Sequence, residues 1–338
     1  MLLNCLKKLF FYDRILQIYY NAVMLERNYR MVCDNILEAM GNTPLIRLRN
    51  MTDENDAQIL VKFEGLNVGG SIKTRTAYNM IIDAEERGVL KKGMTIVEPT
   101  SGNQGIGIAL VGAVKGYKVR VIMPDSVSLE RRKLIAGYGA ELSLVHDDGD
   151  IGKCINLCRD LAVRIQQDND DVFVPSQFEN PANSDVHRSE TGEEILRQAD
   201  CVIDGFCAGI GTGGTITGIG ETLKRANPAT EIWAIEPDKA AILSGGEIES
   251  HIQMGIGDGL IPEILNCEIY DEVCIVTDDE AIATAKELAI KEGIMCGISS
   301  GTNVAAAKRL AKKLGKGKTV VTVLPDTAER YFSTPLFE

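Results

Sequence analysis

The sequence predicts an α/β fold of two open twisted-sheet domains with helices on both faces, and three observations lead there. Short β-branched runs alternate with helical patterns over most of the chain, the signature of a parallel sheet covered by helices. Several of those runs lead straight into Gly, Ser and Thr loops that open helices, which is where open α/β sheets take ligands. Finally, 338 residues at 45% hydrophobic and 25% charged give length for roughly two domains and enough apolar material for their cores.

In order along the chain, strands are expected at 57–63, 94–98, 118–123, 141–145, 201–207, 231–236, 272–276 and 319–324, each a run rich in Val, Ile and Thr. Helices are expected at 74–87, 128–138, 150–167 and 279–292 between them. Linker signals cluster at 175–183, before a second round of strand–helix units. No internal repeat or low-complexity tract interrupts the pattern, so two halves sharing a cleft are expected.

Residues 1–30 do not match the rest. They hold six of the eighteen aromatics and a local charge of +3, leaving −15 on the other 308 residues. Asp13 and Arg14 break the apolar stretch that a signal peptide needs. No stretch reaches the roughly 18 apolar residues of a membrane span. Two readings remain: an amphipathic helix, or an upstream start preceding Met24 or Met31. The composition shift favours the second, so this leader is expected to be dispensable.

The net charge of −12 argues against nucleic acid and anionic membranes, whose binding is driven by Lys and Arg. Three scattered histidines, His146, His187 and His251, give a metal site little to work with, and no metal is expected. Nine cysteines with no CxxC fit free thiols in a reducing cytoplasm. Cys154 and Cys158, one helical turn apart, are read as core residues rather than ligands.

Four loops carry the chemistry. Gly209–Thr215 follows the 201–207 run and precedes a helix, so backbone N–H groups and the hydroxyls of Thr212 and Thr215 form an anion cradle. It is not a Walker A loop. Thr100-Ser101-Gly102-Asn103-Gln104 offers hydroxyls and amides at a helix start, suited to a carboxylate. Gly69-Gly70-Ser71-Ile72-Lys73 sets a lysine at the mouth of another helix, whose dipole lowers the amine's pKa toward nucleophilicity. Gly297-Ile298-Ser299-Ser300-Gly301 is the fourth. An anion cradle, a carboxylate cradle and an amine are together what pyridoxal 5'-phosphate acting on an amino acid requires.

From Asn35 onward, ordered motifs match a known family: Gly41-Asn42-Thr43-Pro44-Leu45, Gly70-Ser71-Ile72-Lys73, Glu98-Pro99-Thr100-Ser101-Gly102-Asn103, Gln177-Phe178-Glu179-Asn180-Pro181, Gly211-Thr212-Gly213-Gly214-Thr215, Gly297-Ile298-Ser299-Ser300-Gly301 and Leu324-Pro325-Asp326. The chain resembles the cysteine synthase (O-acetylserine sulfhydrylase) family of fold-type II pyridoxal-phosphate enzymes, related to cystathionine β-synthase. The resemblance implies Lys73 as Schiff-base lysine and α-proton base, and Asn103 on the cofactor's ring hydroxyl. It implies Gly211, Thr212, Gly213, Gly214 and Thr215 around the phosphate and Ser299 on the pyridine nitrogen. Thr100, Ser101, Asn103, Gln104 and Gln177 would bind the substrate carboxylate. It further implies a smaller domain of 31–44 with 67–177, a larger one of 45–66 with 178–338, a cofactor between them, and a homodimer.

The chain departs from the family pattern at Val68 (usually Pro), Thr74 (usually Asp) and Gln104 (usually Thr). The departure with chemical weight is Asp258, in Gly255-Ile256-Gly257-Asp258-Gly259, where the family usually has a small apolar residue. One reading is a turn-capping or solvent-facing Asp between two glycines. The other is a carboxylate facing the aminoacrylate, which repels hydrosulfide and takes a proton from water attacking Cβ. That second reading makes the protein a cysteine hydroxyl-lyase, converting L-cysteine and water into L-serine and hydrogen sulfide. The alternative is an O-acetylserine sulfhydrylase. A catalytically dead scaffold docking serine acetyltransferase is disfavoured by the retained Lys73, Asn103 and Ser299, and Asp258 would repel that partner's carboxylate-bearing tail.

Overall fold

The structure, a computed structural model, describes residues 32–149 and 151–338. The basic aromatic leader and both candidate starts, Met24 and Met31, lie outside the described residues. Residues 32–39, taken by themselves, contain a 3-10 turn, Ile36–Ala39, with the Leu37 N–H bonded to Asn35 Oδ1 at 2.9 Å.

From residue 40 the chain forms one unit. It begins with β1 (Leu45–Leu48) and β2 (Gln58–Phe63). Next come α1 (Lys73–Glu86), β3 (Thr95–Pro99), α2 (Asn103–Lys115), β4 (Lys118–Pro124), α3 (Leu129–Gly137), β5 (Glu141–Val145), α4 (Ile151–Gln167) and β6 (Val172–Phe173). After α5 (Ala182–Val186), a π-helical turn His187–Thr191 and α6 (Gly192–Ala199), the chain continues with β7 (Gly205–Gly209), α7 (Gly214–Ala226) and β8 (Glu231–Pro237). It closes with β9 (Glu272–Val276), α8 (Asp278–Glu292), α9 (Ile298–Leu314) and β10 (Thr319–Leu324).

Helical crossovers make nearly all the pairing parallel. One sheet runs β5-β4-β3-β6 and the other β1-β2-β10-β7-β8-β9, with only the β1–β2 pair antiparallel. Central strands buried on both faces need mostly apolar runs, and β10 has all six residues buried, its two threonines among four Val and Leu side chains. The six-stranded sheet packs Ile59, Val61, Trp233 and Leu310 in one core, and Phe206, Ile216, Ile219 and Val321 in another. Cys154 and Cys158 of α4 lie in the core over the smaller sheet with Val97 and Ile122, as the apolar reading of that pair expects. No helix among the described residues is long and apolar enough to cross a membrane.

One strand is displaced from its expected position. The 201–207 run becomes β7 at Gly205–Gly209, because Asp200 takes a left-handed conformation (φ 48°) that ends α6 and leaves Cys201 and Val202 exposed. Asp204 then receives the Thr319 N–H at 2.9 Å, and the ladder starts only at Gly205 opposite Val320. β1 and β6 were not expected at all.

Candidate active site

Lys73 is the first residue of α1. The turn before it is pinned by Asn67, whose Oδ1 accepts the N–H groups of Val68 (2.9 Å) and Gly41 (3.0 Å). Among the described residues Lys73 Nζ makes a single long contact, 3.5 Å to Thr212 Oγ1. Burial is the chief force lowering its pKa, while Asp258 and Glu98 push it back up. The sequence suggested the helix dipole as the cause; dense packing around the amine is the larger one.

Two residues on, the Arg75 guanidinium lies wholly inside the protein between Glu64 (2.9 Å) and Glu194 (2.8 Å). Lys62, also fully buried, bonds Glu194 at 2.6 Å and the Thr43 carbonyl at 2.6 Å. These two carboxylates therefore tie the Gly41–Thr43 segment, β2 and α6 to the start of α1.

The Thr100–Gln104 loop leaves β3 and opens α2. Thr100 Oγ1 accepts the Gly102 N–H at 3.1 Å. Asn103 Nδ2 donates to Asp326 Oδ2 at 2.6 Å, an oxygen that also accepts the Tyr331 hydroxyl at 2.7 Å. The other atoms are left over: Asn103 Oδ1 and both side-chain heteroatoms of Gln104 are buried with no partner among the described residues. Buried polar atoms are almost always paired, so these await a ligand. Gln177 is buried on the same cavity wall.

The Gly211–Thr215 loop heads α7, with Gly213 (φ 79°) in the left-handed cap position. At Gly211 no side chain fits, since a Cβ would stand 2.3 Å from the Gly255 carbonyl oxygen. Asn183 Nδ2 fixes Thr212 Oγ1 at 2.9 Å. Gly211, Thr212, Gly213 and Thr215 line the cavity with Lys73, Thr100, Ser101, Asn103, Gln104 and Gln177. Gly214 begins α7 just behind them, and Ser299, in the first turn of α9, lines the same space.

Asp258 joins them on the cavity wall. Gly257 and Gly259 flank it with φ of 69° and 80°. It makes no hydrogen bond or ion pair among the described residues, so it caps no turn there. Burial raises its pKa, and Lys73, His251 and Arg159 pull it back down. Every sequence-predicted site residue thus reaches or directly backs one cavity. Three groups escaped the sequence reading: Arg131, Asp326 as the partner of Asn103, and Glu98, whose buried carboxyl is pushed up to about 8 by desolvation. Arg131 sits in a run, Glu130-Arg131-Arg132-Lys133, that carries no sign of one buried member.

A glycine-built anion cradle with two threonine hydroxyls, an amine with one weak contact among the described residues and an amide loop whose buried atoms are unpaired among them fit a phosphate-bearing carbonyl cofactor and a small carboxylate. That defines a cofactor-dependent enzyme of amino-acid chemistry. A family model described as pyridoxal-phosphate dependent enzyme matches residues 36–326. A cysteine synthase of Staphylococcus aureus is 50% identical over 305 residues, covering 90% of this chain and 97% of that protein. A crystal structure of cysteine synthase from Entamoeba histolytica aligns with TM-score 0.85 and 36% identity over 91% of this chain and 92% of that one. A hydrogen sulfide-producing enzyme from Fusobacterium nucleatum aligns with TM-score 0.83 and 37% identity over 89% and 100%. The chain belongs to the cysteine synthase family of fold-type II pyridoxal-phosphate-dependent enzymes. It is a β-replacement enzyme of cysteine metabolism that uses pyridoxal phosphate and small amino-acid substrates.

Proposed function

We propose that this enzyme acts on L-cysteine, breaking its Cβ–S bond and adding water at Cβ, so that L-serine and hydrogen sulfide leave. Asp258 carries the reading. An unpartnered carboxylate on the wall of the substrate cavity repels hydrosulfide and accepts a proton from water. Its raised pKa makes it a stronger base than an ordinary Asp.

Once bound, pyridoxal phosphate supplies the electron sink that lets the amino acid lose its α-proton and its β-substituent. The chain's residues do the rest. Backbone N–H groups of Gly211–Thr215 and the Thr212 hydroxyl would hold the phosphate, Asn103 the ring hydroxyl and Ser299 the ring nitrogen. Thr100, Ser101, Gln104 and Gln177 take the substrate carboxylate. Lys73 anchors the cofactor through its amine, removes the α-proton and returns it to the same carbon; burial favours its neutral form. Asp258 takes one proton from the incoming water and passes it to solvent, where it balances the hydrosulfide expelled before the water enters. The two sheets act as cores of two halves that close over the substrate.

Cysteine supplied alone to the holoenzyme should yield serine and hydrogen sulfide in equal amounts. Asp258→Asn should still change the cofactor's visible absorption on adding cysteine, while serine release drops at least about 100-fold, the usual range for a lost general base. Serine formation at the wild-type rate by Asp258→Asn overturns the proposal. The second reading is cysteine synthesis from O-acetylserine and sulfide, favoured by the likeness to the S. aureus cysteine synthase. It predicts no turnover of cysteine alone and rapid cysteine production from those two substrates.

A further inference from the structure

Arg131, on α3, is 2% exposed yet has no carboxylate within ion-pair distance among the described residues. Its Nη1 donates to Ser128 Oγ at 3.3 Å and to the Met254 thioether sulfur at 2.8 Å, a weak acceptor for a guanidinium. Its plane lies over the Tyr331 ring, 4.6 Å from the centroid. Its Nε is buried with no partner among the described residues. A buried cation left uncompensated is costly unless it meets an anion.

Its surroundings indicate which anion. Arg131 lines the same cavity as Lys73, and its Cδ and Nε lie 2.9 Å from where a Cβ on Gly102 would stand. Gly102 is the centre of the Thr100–Gln104 loop, so the guanidinium lies against the backbone that frames the carboxylate cradle. Asp258 lines the same cavity, and the groups that pull its pKa down are Lys73, His251 and Arg159. The wall therefore carries a guanidinium against the carboxylate loop as well as the Asp258 carboxylate.

We propose that Arg131 is a substrate-binding residue whose guanidinium supplies the positive charge for the α-carboxylate held by the Thr100–Gln104 loop. This deepens, and rests on, the reading that the loop is the carboxylate site. The rival role is structural: through Tyr331, Arg131 would merely balance Asp326, which bonds that tyrosine's hydroxyl.

The test compares two ligands that differ only in that charge. L-serine and L-serinamide are titrated into the holoenzyme, and binding is read from the cofactor's visible absorption. The wild type should prefer serine. Arg131→Met should reduce that preference about 10- to 100-fold, the worth of a charge-assisted hydrogen bond, chiefly by weakening serine. Arg131→Lys should restore part of it. A role in balancing Asp326 weakens both ligands by the same factor, and that result overturns the proposal. Gln104→Ala separates the two levels. If it lowers the preference while Arg131→Met and Arg131→Lys do not, only the Arg131 assignment fails; if none of the three lowers it, the loop is not the carboxylate site. Should the Met variant not hold cofactor, an unchanged preference in Arg131→Lys and Arg131→Gln is equally fatal.

Discussion

Glu194→Gln is the sharpest test of how the lysine-bearing helix is held. Glu194 accepts hydrogen bonds from Lys62 (2.6 Å), Arg75 (2.8 Å) and the Asn42 N–H (2.8 Å), and its side chain is only 10% exposed. Burial alone would raise its pKa, but Arg75 and Lys62 together overcome that and bring it from 4.5 to about 2. Each unit is worth about 1.4 kcal/mol, so the ionised carboxylate stabilises the fold by about 3 kcal/mol at neutral pH. Removing one partner of a buried ion network costs about the same by mutational precedent. The sign follows from the depressed folded-state value: the contribution is complete above pH 4.5 and is lost as pH falls toward 2. Urea unfolding of both proteins should therefore show Glu194→Gln less stable by about 3 kcal/mol at pH 7. At pH 3.5 the gap should shrink by about 1 kcal/mol, because the wild type is then losing what the variant never had. A gap under 1 kcal/mol at pH 7, or one that widens on acidification, would show that the Glu194 carboxylate is not what anchors Gly41–Thr43 to α1.

Gly211→Ala should lower cofactor retention at least about 10-fold, since its Cβ would stand 2.3 Å from the Gly255 carbonyl and about 1 Å of backbone shift is needed to relieve that overlap. Gly137→Ala, with nothing within 4 Å of its Cβ, is the control and should retain cofactor like the wild type when both are dialysed and their absorption compared. Glu98→Gln should move the ascending, acidic limb of the activity profile, where Lys73 becomes the neutral base, to lower pH, because the Glu98 carboxylate raises the Lys73 pKa and the amide removes that support; since Glu98 itself ionises only near pH 8, an unmoved profile above that pH contradicts the coupling.

What the sequence made legible, and what it hid, follows from where each feature's physics resides. Strands 141–145, 272–276 and 319–324 coincide with β5, β9 and β10, because an apolar or alternating run bounded by turn residues needs no other information. β1 carries the charged Arg47 and β6 has two residues; both are strands only because β2 and β3 offer ladders to them. The site divides the same way. The anion cradle, the carboxylate loop and the lysine turn are contiguous runs whose glycines and hydroxyls announce their use, and one cavity collects them. Arg131 could not be read, because nothing local distinguishes it from Arg132 beside it; only contacts with Met254 and Tyr331 define its environment. Asn103 likewise reaches Asp326 across 223 residues of chain. Contiguous motifs thus reveal which family chemistry a cleft supports, while the charged side chains that line it beside them are brought there by the fold. Asp258 belongs to both sets: its place in a glycine motif made it visible, and its carboxylate, unpaired among the described residues on the cavity wall, is what the proposed hydration of cysteine draws on.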